Sequence, residues 1–137
     1  MSAFVQDDAG RLLMIRRTDN DKYAIRGGQQ EVGETLAQAA IREVKEETGV
    51  DVKVTGLIGL YSNPDHVIAY DDDGGGVRQE FSICFRARHV GGELHTSSES
   101  KEVHWIERAL ISELNVNPSI KIRINYGHEE RPSPYYI

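Results

Sequence analysis

The chain carries one cysteine, Cys84, among its 137 residues. A lone thiol excludes an intrachain disulfide and any zinc site built from several cysteines, and it points to a reducing compartment. No stretch approaches the roughly 20 apolar residues of a membrane-spanning helix. The opening residues have neither the basic head nor the apolar core of a secretory signal. The expected compartment is the cytoplasm, with no membrane partner. Positive charge is also scarce: 16 Lys and Arg stand against 22 Asp and Glu, a formal net charge of -6. That argues against a nucleic acid polymer as partner, which calls for a basic patch or stripe. It leaves room for a small anionic ligand, because a bound cation reverses the local field. Internal repeats are absent too.

What is present suits one folded domain over residues 1–137, with an ordinary apolar share of 39%. Residues 3–6 and 11–17 read as a hairpin closed by Asp7-Asp8-Ala9-Gly10. Tyr23-Ala24-Ile25 is a short apolar step ended by Gly27-Gly28. Thr35 with Gln38 three residues on forms a capping box. Ala37, Ala40, Ile41, Val44 and Thr48 follow helical spacing, and Gly49 suits the stop, so a helix is predicted over 35–48. Residues 50–61 read as a strand bent at Gly56, and Asn63-Pro64-Asp65 as a turn. Residues 67–70 make a short strand, and 71–76, three Asp then three Gly, a solvated loop. Residues 77–88 alternate as one strand with Phe81, Ile83 and Phe85 on one face, before a turn at Gly91-Gly92. A strand over 103–106 holds the only Trp, and a helix follows over 107–114. Asn117-Pro118 starts a last helix to about Tyr126. The tail from about 128 is expected to be irregular. Strands that bracket the helices, rather than alternate with them, favour an α/β class with a mixed sheet and helices on its faces.

Glu43, Glu46 and Glu47 stand at i, i+3 and i+4, which sets three carboxylates on one helical face. Like charges so placed repel. Arg42 and Lys45 offset part of this, but they are expected to project from other sides of the helix. A divalent cation offsets all of it, and oxygen-only ligands point to Mg²⁺ or Mn²⁺ rather than zinc. The plainer reading is a solvated acidic face. Against it, Gly27-Gly28 lets backbone approach the helix, where a carbonyl can add a ligand.

The run from Gly28 to Val50 resembles the Nudix box: Gly, five residues, Glu, seven residues, Arg-Glu, an aliphatic, any residue, Glu-Glu, any residue, Gly, an aliphatic. Gly28, Glu34, Arg42, Glu43, Val44, Glu46, Glu47, Gly49 and Val50 fill every defined position. The strand order is also similar to the Nudix fold, an α/β/α sandwich with a mixed β-sheet. The resemblance implies hydrolysis of a diphosphate linkage in a nucleoside diphosphate joined to another group, with Mg²⁺ or Mn²⁺ as cofactor. It implies Glu43, Glu46 and Glu47 as metal ligands, with Glu46 and Glu47 the core pair. The carbonyl of Gly28 or Gly27 is the implied backbone ligand, Glu34 a secondary or water-mediated contact, and Arg42 the residue that orients Glu43 or its neighbours. Glu43 is the first choice of base, and Glu99 or another loop carboxylate the second.

The family usually has proline before the glycine pair, where this chain has Arg26. Arginine there forgoes the fixed φ of proline and sets a cation beside an anionic substrate path; the plain alternative is a tolerated change at a loop start. Pro64 resembles a marker of ADP-ribose pyrophosphatases, though it equally suits an ordinary turn. Glu99 and Glu102 are candidates to complete the metal site or read a base, with Glu80 a third. Tyr61 and Tyr70 are candidates for stacking on a nucleobase, against the usual core role of a strand aromatic. Trp105 and Cys84 read as core. Arg16, Arg17 and Arg78 are candidates to steer phosphates. The histidines show no ligand spacing.

These features favour ADP-ribose or a related sugar nucleotide as substrate. A nucleoside triphosphate pyrophosphohydrolase is the first alternative, and a non-catalytic nucleotide sensor the second. The expected assembly is a monomer or a homodimer.

Overall fold

Asp7 closes the first turn. Its carboxylate accepts from the backbone N–H groups of Ala9 (3.1 Å) and Arg11 (2.8 Å) and from Arg11 Nε (2.7 Å). Gly10 supplies the left-handed step at φ 79°. In this computed structural model, which describes residues 1–65, 67–69 and 76–137, the turn joins strands β1 (Ser2–Gln6) and β2 (Leu12–Arg17) into the expected hairpin. Strand β3 (Tyr23–Ala24), helix α1 (Leu36–Thr48) and strand β4 (Val50–Tyr61) follow. Next come β5 (Val67–Ala69), β6 (Val77–Gln79), β7 (Ser82–Gly92) and β8 (Ser100–Ile106). Helices α2 (Arg108–Ile111) and α3 (Pro118–Glu129) and strand β9 (Tyr135–Tyr136) complete the chain.

The main sheet runs β3-β2-β1-β7-β4-β9, with β8 also pairing β2. β1·β7 and β4·β9 are parallel and the remaining pairs antiparallel, so the sheet is mixed. Both of its faces are covered, as an unbroken apolar run such as Leu12-Leu13-Met14-Ile15 requires. Ala3, Val5, Leu13 and Ile15 pack with Val44 of α1. Phe4, Leu12, Met14 and Cys84 pack with Ile111 of α2 and Ile124 of α3 on the other face. The layers are therefore helix, sheet, helix, as the sequence implies. No helix among the described residues is long and apolar enough to cross a membrane.

Several expectations are corrected. Residues 77–88 do not form one strand. β6 pairs with β5 as a separate two-stranded sheet, and β7 begins at Ser82. Phe81, between them, is 67% exposed rather than on a shared apolar face. Gly91-Gly92 is the end of β7, paired with Asp51 and Val50. A side chain at Gly92, where φ is 80°, would run into the backbone of residue 49, so glycine lets the two strands meet there. The helix expected over 107–114 is the single turn of α2. The last helix runs on to Glu129, and the tail, expected to be irregular from about 128, ends in β9 against β4. Tyr70, His66 and most of the Asp-Gly segment (71–75) lie outside the described residues.

Candidate functional site

Helix α1 begins on a complete capping box. Thr35 Oγ1 accepts from Gln38 N–H (3.1 Å), and Gln38 Oε1 accepts from Thr35 N–H (2.8 Å). It ends at Gly49, whose φ of 82° and N–H bond to the Lys45 carbonyl (3.0 Å) turn the chain into β4. These two ends set the phase in which Glu43, Glu46 and Glu47 leave the helix.

Arg42 does not project away from them, contrary to expectation. Its guanidinium lies across the acidic face: Nη1 donates to Glu43 (3.0 Å) and Glu46 (3.3 Å), and Nε and Nη2 hold Glu34 (3.0 and 2.7 Å). Nη2 also donates to the Gln29 carbonyl (3.0 Å), which pins the glycine loop to the helix. These bonds hold the Glu34 carboxyl below the usual carboxylate range and push the Arg42 guanidinium up. Lys45 does point elsewhere, to Asp51 (3.1 Å).

Gly28 lies directly against Glu43. A Cβ at that position would fall 2.6 Å from Glu43 Oε1 and 2.8 Å from Cγ, so the helix carboxylate occupies the space that a side chain would take. The Gly28 carbonyl accepts from the Met1 amino nitrogen (2.9 Å). Arg26 reaches the same place. Its Nη2 donates to the Gly27 carbonyl (2.8 Å) and Glu99 (3.0 Å) and stands 3.6 Å from Glu43. Arg26 thus ties the loop before the helix to Glu99, far along the chain. Glu47 accepts from Ser97 Oγ. Glu46 is the most open of the three, at 54% side-chain exposure.

A cleft of about 1220 Å³ opens beside this cluster. Gly28, Arg26, Glu99, Arg17, Tyr61 and Glu80 all line it, so the structure gathers into one cavity residues that are scattered over the sequence. Arg17 is held by Asp19 (2.9 and 2.7 Å). Glu80 pairs with Arg78 (2.5 Å). Tyr61 is half-buried, which pushes its hydroxyl up, and its oxygen has no hydrogen-bond partner among the described residues. Glu102 is turned instead to Arg16 (2.8 Å) and His104 (3.1 Å). Pro64 lies in a turn closed by Asp65 N–H on Asn63 Oδ1 (2.9 Å).

Three residues escaped the sequence reading. Ser97 meets Glu47 across 50 positions, and Tyr135 packs its ring 5.4 Å from Tyr61; neither leaves a local signal. Arg123 does leave one. With Ile120, Ile124 and Gly127 it occupies i, i+3, i+4 and i+7 of α3, a cation set in an apolar stripe.

Among the described residues, no three His, Cys, Asp or Glu side chains meet closely enough to cage an ion as they stand. The guanidinium groups of Arg42 and Arg26 take the carboxylate oxygens instead. The donor chemistry nonetheless fits a hard divalent ion, since carboxylates and a backbone carbonyl offer oxygen alone. The contact of Gly28 with Glu43 keeps that carbonyl's residue next to the helix acids.

Comparison with known proteins adds a second line. The model of the NUDIX domain matches residues 1–123. A MutT-like protein of Streptomyces ambofaciens is 39% identical over 109 residues, 80% of this chain and 62% of that protein. An ADP-ribose pyrophosphatase of Methanocaldococcus jannaschii is 39% identical over 100 residues, 71% of this chain and 54% of that protein. The chain thus spans between half and two thirds of these relatives' length. The crystal structure of an ADP-ribose pyrophosphatase from Streptococcus suis superposes with a TM-score of 0.75, covering 98% of this chain and 93% of that one, at 14% identity. At that identity the likeness is one of fold.

Proposed function

The chain belongs to the NUDIX domain family, and from that premise we propose that it hydrolyses a diphosphate linkage in a nucleoside diphosphate joined to a second group. ADP-ribose or a related sugar nucleotide is the favoured substrate. The observation that carries the reading is the Arg42-centred cluster of Glu34, Glu43 and Glu46, set against Gly28 beside a large cleft.

Glu43, Glu46 and Glu47 would hold a divalent ion, Mg²⁺ or else Mn²⁺. Glu34, the Gly28 carbonyl and Glu99 would serve as further oxygen donors. When bound, such an ion neutralises diphosphate oxygens and lowers the pKa of water near them. The protein's own part is to place acids and bases. Arg42 holds Glu34, Glu43 and Glu46 in one orientation. Glu43, packed against Gly28 and flanked by two guanidinium groups, takes a proton from the attacking water, with Glu99 the second choice for that role. Arg26 and Arg17 present cations to the phosphates, and Tyr61 and Glu80 line the space for the rest of the substrate. The name of the Methanocaldococcus relative and the place of Pro64 support ADP-ribose.

A substrate panel with identified products tests this. Release of AMP and ribose 5-phosphate from ADP-ribose is expected. Pyrophosphate release from nucleoside triphosphates alone selects the triphosphate reading, and tight nucleotide binding without product selects the sensor reading. Glu46→Gln is expected to lower turnover by about two or more orders of magnitude with the fold intact; unchanged turnover at saturating Mg²⁺ removes Glu46 from the ion site.

A further inference from the structure

Arg123 belongs to α3, on the face of the sheet opposite α1. Its guanidinium lies over the Tyr61 ring, 5.2 Å from the centroid. Tyr61 in turn packs on Tyr135, and all three residues line the cleft. The arginine is half-buried, and its Nε–H is out of solvent with no hydrogen-bond partner among the described residues. It makes no ion pair with a described carboxylate. The groups that face it are the Tyr61 hydroxyl, Cys84, whose buried thiol is pushed up and stays neutral, and the Met1 ammonium, a second cation whose pKa is lowered by burial and then by Arg123.

An arginine stays charged in proteins, and a buried cation without a counter-ion is costly. Burial pulls the Arg123 guanidinium down, as that cost requires. The ring of Tyr61 takes one face of the guanidinium by a cation–π contact. That leaves the two Nη groups, which make no hydrogen bond among the described residues, as the donors open to an in-plane acceptor. The Tyr61 hydroxyl, also buried and without a partner among the described residues, is a second unpaired polar group beside the same cavity. Two residues with unpaired buried polar atoms, one of them carrying a full charge, side by side at a substrate-sized cleft are unusual in a folded protein.

We infer that Arg123 and Tyr61 form an anion subsite of the cleft, which takes an oxyanion of the ligand other than the diphosphate held at α1. Helices α1 and α3 pack on opposite faces of the sheet, and Gly28 and Arg123 line the same cleft. As a statement about substrate, the inference rests on the hydrolase reading. It narrows that reading to molecules that carry a further anionic group, phosphoryl or carboxylate, on the part that is not cleaved.

The test begins without turnover. The full chain, labelled with ¹⁵N-arginine, is titrated with inorganic phosphate and separately with acetate at constant ionic strength, and the arginine Nε–H signals are followed. Arg123→Lys identifies the signal by its disappearance. A saturable shift of the Arg123 signal is expected. A stronger response to phosphate assigns a phosphoryl group, and a stronger response to acetate a carboxylate. A signal that moves no more than in chloride overturns the subsite. In turnover, Arg123→Gln is expected to raise KM about tenfold or more, the worth of a lost charge-assisted hydrogen bond, for a substrate with the further anion, such as the 2′-phosphate of ADP-ribose. KM for ADP-ribose itself is expected to change far less. An equal fall in kcat for both substrates, or an equal change in KM, overturns the subsite. Arg123→Lys, which keeps the charge without the fork, guards against misfolding of the Gln variant and is expected to fall between. If no substrate is cleaved, the hydrolase reading fails and the phosphate titration still decides the subsite.

Discussion

A guanidinium offers five N–H donors in one plane, and Arg42 uses them on three glutamates and one loop carbonyl. Repulsion among the acids of α1 is thereby relieved from within the box rather than by solvent. Gly28 is the other residue on which the site turns. Gly28→Ala would place a methyl group where the Glu43 side chain now lies. The obstacle is the flexible end of a side chain, so the expected loss of stability is small. Glu43 has to swing off Arg42, and a displacement of that order is expected to lower kcat about 100-fold. Urea unfolding and steady-state rates on the same preparation check this; full activity in a folded variant would show that the placement of Glu43 is immaterial.

At the scale of the element, α1 is a short helix whose phase is set by its ends. Thr35→Ala removes the acceptor for Gln38 N–H and is expected to cost about 1 kcal/mol. It should appear as a lower urea midpoint with an unchanged slope, and an unchanged midpoint would mean that the cap contributes nothing. Helix α3 is set by packing. Gly127 leaves room for Phe4, since a Cβ there would fall 2.5 Å from the Phe4 ring. The next residue, His128, meets the same ring edge-on at 5.1 Å. Burial, then the nearby Arg108 and Arg86 charges, lower the His128 pKa, against a smaller opposing pull from Glu130. The unfolded chain therefore binds this proton more readily than the folded one. Stability should fall as pH drops through about 6.5, the ordinary value for histidine, and go on falling to the lower pKa of the folded state. His128→Phe should flatten that stretch of the profile, measured as urea midpoints between pH 8 and 5 (values chosen to span the histidine range). The same slope in the variant would assign the effect to another group.

At the scale of the whole molecule, the mixed sheet carries chemistry-bearing side chains on both faces. Helix α1 brings the carboxylates to one, and α3 brings Arg123 to the other, with the cleft between strands and loops reached from each. Much of this was legible in advance. The capping box, Gly49, the apolar spacing of α1 and the doubly buried run of β2 are local signals, because hydrogen bonds and side-chain faces in a helix or strand repeat every few residues. The Nudix box is equally local, and so is the family it denotes. Other features carry no such period. The break between β6 and β7 depends on which strands are near enough to pair. Strand β9 forms because β4 offers it an edge, although Pro132 and Pro134 read as irregular tail. The contact of Arg26 with Glu99, the meeting of Ser97 with Glu47 and the stacking of Arg123 on Tyr61 join residues far apart in the chain. Even the direction of Arg42 depended on Glu34 and Gln29 arriving from the loop. By itself, then, the sequence determined the helix, its row of acids and the family, since each rests on spacing within a few turns. The tertiary structure alone decided which cations neutralise those acids and where a second anion can sit, because these depend on distances through space between elements that no local pattern links.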